Sequence, residues 1–128
     1  MPAIVIDASA LIAVVFGEPE GDAVRDLCHG AQLLAPQLLD YEVANICLVK
    51  QRRYPDIADK LARQFSAFQL LALERLPVQI GEVHLLATQT SLTAYDAAYL
   101  WLALQQNCPL ITLDSALSKA MLKIRPQP

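Results

Sequence analysis

Two short apolar runs in this chain each close on an aspartate and pass straight into a helical pattern. Ala3–Ile6 ends at Asp7 before ASALIAVVF, and Leu110–Leu113 ends at Asp114 before SALSKAML. Brief, uniformly apolar strands are buried on both faces, which happens when helices cover a parallel sheet. The rest of the chain alternates accordingly. Helices are predicted over Ala8–Phe16, Glu20–His29 and Gln37–Arg53, then from Asp56 to about Leu73, and over Glu82–Thr90, Ala94–Gln106 and Ser115–Leu122. Gln32–Ala35 and Leu76–Ile80 are the other strand candidates. Gly17, Pro19, Gly30, Tyr54-Pro55 and Gly81 supply the breaks. Leu39, Val43, Ile46 and Val49 or Lys50 trace the buried stripe of one long helix, and Ile57, Leu61, Phe65, Phe68 and Leu71 or Leu73 that of the next. With no repeat and no long linker, residues 1–128 are read as a single α/β domain.

At 128 residues, 55% of them hydrophobic, the chain can bury a real core. Its mean hydropathy of +0.34 is rich for a soluble domain. No apolar run approaches the roughly 18 residues that span a bilayer, and the N-terminus lacks a basic, cleavable leader. The expectation is a cytoplasmic protein with no membrane partner, whose surplus apolar surface covers an interface. Cys28, Cys47 and Cys108 form no C-x-x-C pair and are read as reduced thiols, mostly core. The net charge of −3 argues against indiscriminate binding to polyanions.

Four acids stand in or against apolar runs: Asp7, Glu42 in LLDYEVANI, Asp96 in TAYDAAYLWLAL, and Asp114. Each has an ordinary explanation. Asp7 and Asp114 fit helix N-caps, Thr93-x-x-Asp96 fits a loosened capping box, and Glu42 fits a helix surface. All four together fit those explanations less well. If the strands ending at Asp7 and Asp114 are neighbours, their ends lie about 5 Å apart, and both acids face one crevice beyond the carboxyl ends of the strands. Two such charges at an effective dielectric near 20 repel by roughly 3 kcal/mol. Convergence would therefore call for a cation. An all-oxygen donor set suits Mg²⁺ or Mn²⁺, and that chemistry suits phosphodiester hydrolysis.

The runs IVIDASALIAVVFGEPE, LLAPQLLDYEVANICLVK and LTAYDAAYLWLALQQNCPLITLDSAL, in that order over nearly the whole chain, resemble a PIN domain. In particular they resemble the VapC toxins of bacterial and archaeal toxin–antitoxin pairs. The resemblance implies a three-layer α/β/α fold with a short parallel sheet of four strands. A fifth would be a very short edge strand past Leu122, if it forms. It further implies ribonuclease activity with Mg²⁺ or Mn²⁺ bound by Asp7, Glu42, Asp96 and Asp114. Ser9 and Thr112 match positions that orient the acids or water, and Asn45 matches a polar position on the helix of the second acid. A small antitoxin partner and a homodimer are implied as well. The last motif carries Asp114 as its single acid, so a second metal would bind weakly or only with substrate.

Residues 49–75 hold Lys50, Arg52, Arg53, Lys60, Arg63 and Arg75 against Asp56, Asp59 and Glu74. Lys50, Arg52, Arg53, Lys60 and Arg63 are candidate RNA phosphate contacts, although a solvated helix corner explains them too. Tyr95, Tyr99 and Trp101 are read as core or interface residues rather than base-stacking platforms. His29 and His84 have no partner pattern. The competing function is a catalytically silent PIN-like module that binds RNA or protein, but such a module has no use for four mutually repelling acids. A phospho-acceptor enzyme with Asp7 as nucleophile would want an acid where Ser9 stands.

Overall fold

The computed structural model describes residues 1–125. Four strands, β1 (Ala3–Ile6), β2 (Gln32–Pro36), β3 (Leu73–Leu76) and β4 (Leu110–Ile111), form one parallel sheet in the order β3-β2-β1-β4. The chain builds outward from β1 through β2 to β3, then crosses back to add β4 on the other side. The strand order therefore reverses between β1 and β4, where Val5 pairs with Leu110 and Ile6 with Ile111.

Helices α1 (Ala8–Val15) and α2 (Gly21–Cys28) join β1 to β2. Helix α3 (Leu38–Arg53), a 3-10 turn (Pro55–Ile57) and α4 (Ala58–Gln69) lead to β3. Helices α5 (Ile80–Thr90) and α6 (Ala94–Gln106) lead to β4, and α7 (Ser115–Ile124) follows it. Helices α1, α3 and α4 pack on one another, while α6 lies against β1, β2 and β4 with α5 and α7 beside it, completing three layers. Helix α6 is buried along Ala97–Leu100 and at Leu102 and Ala103, as a helix against the centre of a sheet must be. It stops at Asn107 in the left-handed region (φ 49°).

Val5 and Ile6 of β1, Leu34 and Ala35 of β2, and Leu11, Leu39, Val43, Phe68, Tyr99, Leu100 and Leu117 from the helices share one core. Val83, Ala97 and Ala98 form a satellite between α5 and α6. Gly21 opens α2 where it meets the end of α1, and a Cβ there would sit 2.5 Å from the Ala13 carbonyl oxygen.

Three expectations are revised. The third strand is Leu73–Leu76 rather than Leu76–Ile80, and α4 ends at Gln69, so Leu73 is a strand residue; Ile57 and Leu71 are exposed. On α3 the buried positions are Leu39, Val43 and Cys47, with Ile46 half-buried and Val49 exposed. Past Leu122, residues Lys123 and Ile124 continue α7; the remainder of a fifth strand would fall on residues 126–128, outside the described residues. Cys28, Cys47 and Cys108 are all free, and Cys47 and Cys108 are buried. Among the described residues, no helix is long and apolar enough to cross a membrane.

Candidate active site

The carboxyl ends of β1 and β4 open into a cleft of about 320 Å³ whose walls include Asp7, Ser9, Glu42, Asp96, Tyr99 and Asp114. The acids come from separate elements. Asp7 follows β1, Glu42 lies one turn into α3, Asp96 lies in the first turn of α6, and Asp114 precedes α7. The capping explanations hold as well. Asp7 Oδ1 accepts from the Ala10 N–H at 3.0 Å and Asp114 Oδ1 from the Leu117 N–H at 3.0 Å. The Asp96 N–H donates to Thr93 Oγ1 at 3.1 Å, while the Asp96 carboxylate lines the cleft. The start of a helix tolerates negative charge, and Asp7, Asp96 and Asp114 all sit at one.

Asp7, only 3% exposed, is the buried charged residue of the molecule as described. Its neighbours are polar by construction. The Ser9 hydroxyl donates to Oδ1 at 2.7 Å and the Thr112 hydroxyl to Oδ2 at 2.5 Å. Ser9 Oγ accepts from the Leu113 N–H, and Thr112 Oγ1 from the Asp114 N–H, each at 2.9 Å. The hydroxyls thus transmit the register of the β4 loop directly to the carboxylate. On the other wall, Tyr99 donates its phenol O–H to Glu42 Oε1 at 2.5 Å.

These surroundings raise Asp7, Glu42 and Asp96 alike. Burial pushes Asp7 up from its ordinary range against the pull of Thr112, Ala10 and Ser9, and the charge of Asp114 adds to the rise. Burial raises Glu42, opposed by the Tyr99 hydrogen bond and reinforced by Asp96 and Asp7. Asp96 rises through burial and the charges of Asp114 and Asp7. Tyr99 is driven far up by burial and by Glu42, so it stays a protonated donor. Mutual repulsion among carboxylates is relieved by a cation. An all-carboxylate donor set fits a hard divalent ion. Among the described residues, no three such side chains stand close enough together to form a metal-ligand group.

Other predicted residues separate. Asn45 is exposed and Ile46, one residue on, lines the cleft instead. Lys50 and Arg53 line an adjoining hollow, and Arg52, Lys60 and Arg63 do not. Tyr95 is 64% exposed, whereas Tyr99 is buried. The role of Tyr99 as partner of Glu42 was not anticipated; its place three residues after Asp96, on the same helix side, is the signal that marks it.

A parallel sheet covered on both faces, with a carboxylate cleft at its switch point, defines an α/β protein with an acidic site at the carboxyl edge of its sheet. The sequence profile of the PIN domain matches residues 4–121, and the chain belongs to the PIN-domain family. It is 34% identical to VapC ribonuclease Mb0985 of Mycobacterium bovis over 116 residues, covering 90% of this chain and 88% of that protein. It is 30% identical to Ribonuclease VapC3 of Pyrobaculum aerophilum over 121 residues, covering 91% and 92% respectively. The crystal structure of PAE2754 from Pyrobaculum aerophilum shares the fold, with a TM-score of 0.74, 24% identity, and coverage of 93% of this chain and 84% of that one.

Proposed function

We propose that this chain is an endoribonuclease that hydrolyses RNA phosphodiester bonds, the toxin of a toxin–antitoxin pair acting in the cytoplasm. The observation that carries the reading is the meeting of Asp7, Glu42, Asp96 and Asp114, from four separate elements, in one cleft. The VapC ribonuclease names of its relatives support the substrate class. Mg²⁺ or Mn²⁺ is the cofactor, held by these four acids. When bound, it supplies activation of water and neutralisation of charge on the phosphate.

The chain's own residues do the rest. Ser9 and Thr112 fix the Asp7 carboxylate, Tyr99 fixes Glu42, and the helix starts behind Asp7, Asp96 and Asp114 stabilise negative charge near the phosphate. Exposed Ile80 and Tyr95, in an apolar groove with Pro36, Leu76 and Val78, suit the covering partners of this reading, an antitoxin segment and a second copy of the chain.

Asp7→Asn and Asp96→Asn test it. Each is expected to fold as the wild type does by circular dichroism and to lose Mn²⁺-dependent RNA cleavage, which EDTA also abolishes in the wild type. Full activity in either purified variant refutes the assignment. Absence of Mn²⁺ binding at millimolar concentration in calorimetry would favour the silent binding module.

A further inference from the structure

The acid cleft does not end at Glu42. Ile12 and Ile46 form part of its wall and also part of the wall of a second hollow, of about 260 Å³, lined by Glu18, Val49, Lys50, Arg53 and Tyr54. The two form one trough along α3. Glu42, Ile46, Lys50 and Arg53 follow one another at three- or four-residue spacing, hence on one side of the helix. At 1.5 Å rise per residue, Lys50 and Arg53 lie about 12 Å and about 16 Å beyond Glu42. The trough is therefore negative at the site of chemistry and positive one to a few nucleotides away.

The two cations are held differently. Lys50 Nζ sits 3.6 Å from Glu18 Oε1 and 5.6 Å from the centre of the Phe16 ring. Arg53 has no carboxylate within ion-pair distance among the described residues, and its guanidinium lies over the Tyr54 ring, 5.4 Å from its centre. Tyr54 is 47% exposed. A guanidinium stacked on an exposed tyrosine offers a flat surface for a base and unused donors for a phosphate. The half-exposed Lys50–Glu18 pair is weak in water, so a phosphate can replace the Glu18 carboxylate.

We infer that this hollow is a nucleotide-binding subsite for single-stranded RNA, in which Lys50 and Arg53 hold a phosphate flanking the scissile one and the Arg53–Tyr54 pair stacks a base. Glu18 is the resident anion that the RNA displaces. The inference rests on the ribonuclease reading for its ligand, but it predicts binding independently of cleavage. Arg52 and Arg63, which carry the same charge nearby but lie outside the hollow, are the internal controls.

The experiment is fluorescence anisotropy of a labelled, mixed-sequence single-stranded RNA of about ten nucleotides, in EDTA so that no cleavage occurs, across a salt series. Lys50→Ala and Arg53→Ala should each weaken binding about tenfold and flatten the salt dependence by about 0.7 in logarithmic slope. Tyr54→Ala should weaken binding about tenfold and Tyr54→Phe hardly at all. Glu18→Gln should tighten it, an effect that loss of a merely structural ion pair would not produce. Arg52→Ala and Arg63→Ala should bind as the wild type. No measurable RNA binding by the wild type, unchanged binding in the Lys50 and Arg53 variants, or equal losses in the Arg52 and Arg63 controls would overturn the subsite. Binding with this pattern but no metal-dependent cleavage would instead overturn the nuclease reading and leave the subsite standing.

Discussion

Tyr99 and Glu42, 57 residues apart in the chain, share a 2.5 Å hydrogen bond across the cleft, linking α6 to α3. The phenol is buried and stays protonated, so it always donates. It keeps the Glu42 carboxylate in place and opposes the rise in its affinity for a proton. Tyr99→Phe retains the buried ring and loses only the donor. RNA cleavage at neutral pH should fall about tenfold or more, as for other partners of metal-binding carboxylates. Stability to urea should change by about 1 kcal/mol or less. Unchanged turnover in a folded Tyr99→Phe protein would remove the residue from the mechanism.

Ser9 and Thr112 act on Asp7 as a pair, their hydroxyl oxygens 3.3 Å apart. Thr112→Val removes a bond to Asp7 Oδ2 and the acceptor for the Asp114 N–H, while Ser9→Ala removes a bond to Oδ1 and the acceptor for the Leu113 N–H. Each is expected to lower cleavage about tenfold. Because they belong to one network, the double variant should lose less than the product of the two single losses. Strictly multiplicative losses would mean that the two hydroxyls act separately.

The raised proton affinities of Asp7, Glu42 and Asp96 make stability depend on pH with a definite sign. The folded protein holds these protons more tightly than the unfolded chain. The three groups therefore favour folding below the ordinary carboxylate range, and that contribution is lost as pH rises through their raised folded values. Thermal midpoints measured from pH 4 to pH 7 should show this as a decline that is smaller in Asp7→Asn. Millimolar Mn²⁺ should raise the midpoint at pH 7 by about a few degrees and much less at pH 4. A Mn²⁺ effect equal at both pH values would contradict the carboxylate assignment.

Gly21 is a packing position far from the chemistry. The Cβ of Gly21→Ala would press into the Ala13 carbonyl, and neither backbone segment can yield without moving α1 or α2. The substitution is expected to cost about 1–3 kcal/mol in urea unfolding while the folded fraction cleaves RNA at the wild-type rate. Unchanged stability would show that the α1–α2 corner relaxes freely.

Much of this arrangement is legible before the fold is known. β1 and β4 are apolar runs between breaks that close on Asp7 and Asp114, and that pattern announces them. β3 is different because half of its four residues are charged. Its Leu73-Glu74-Arg75-Leu76 sequence carries polar residues that bond sideways, Glu74 to Gln32 at 2.5 Å and Arg75 to Asp40 at 2.8 Å. No apolar run marks such a strand, and the neighbouring VQI after Pro77 attracts the assignment instead. Asn45 and Ile46 differ by a single residue on α3, which turns the side chain by about 100°; spacing alone does not settle which faces the cleft. The spacing of Tyr99 from Asp96 marks its side of α6 but not its hydrogen-bond partner, because Glu42 belongs to another layer.

The strand order also sets when the crevice can assemble during synthesis. β4 is the last strand to be made yet pairs with the first, and Thr112 reaches Asp7 across 105 residues of chain. A nascent chain that has not yet released Pro109 onward from the ribosome carries Asp7, Glu42 and Asp96 but cannot close the crevice around them. Contacts of such long sequence separation form late. The crevice around Asp7 therefore closes only after residues 110–114 have been made, long after Asp7 itself.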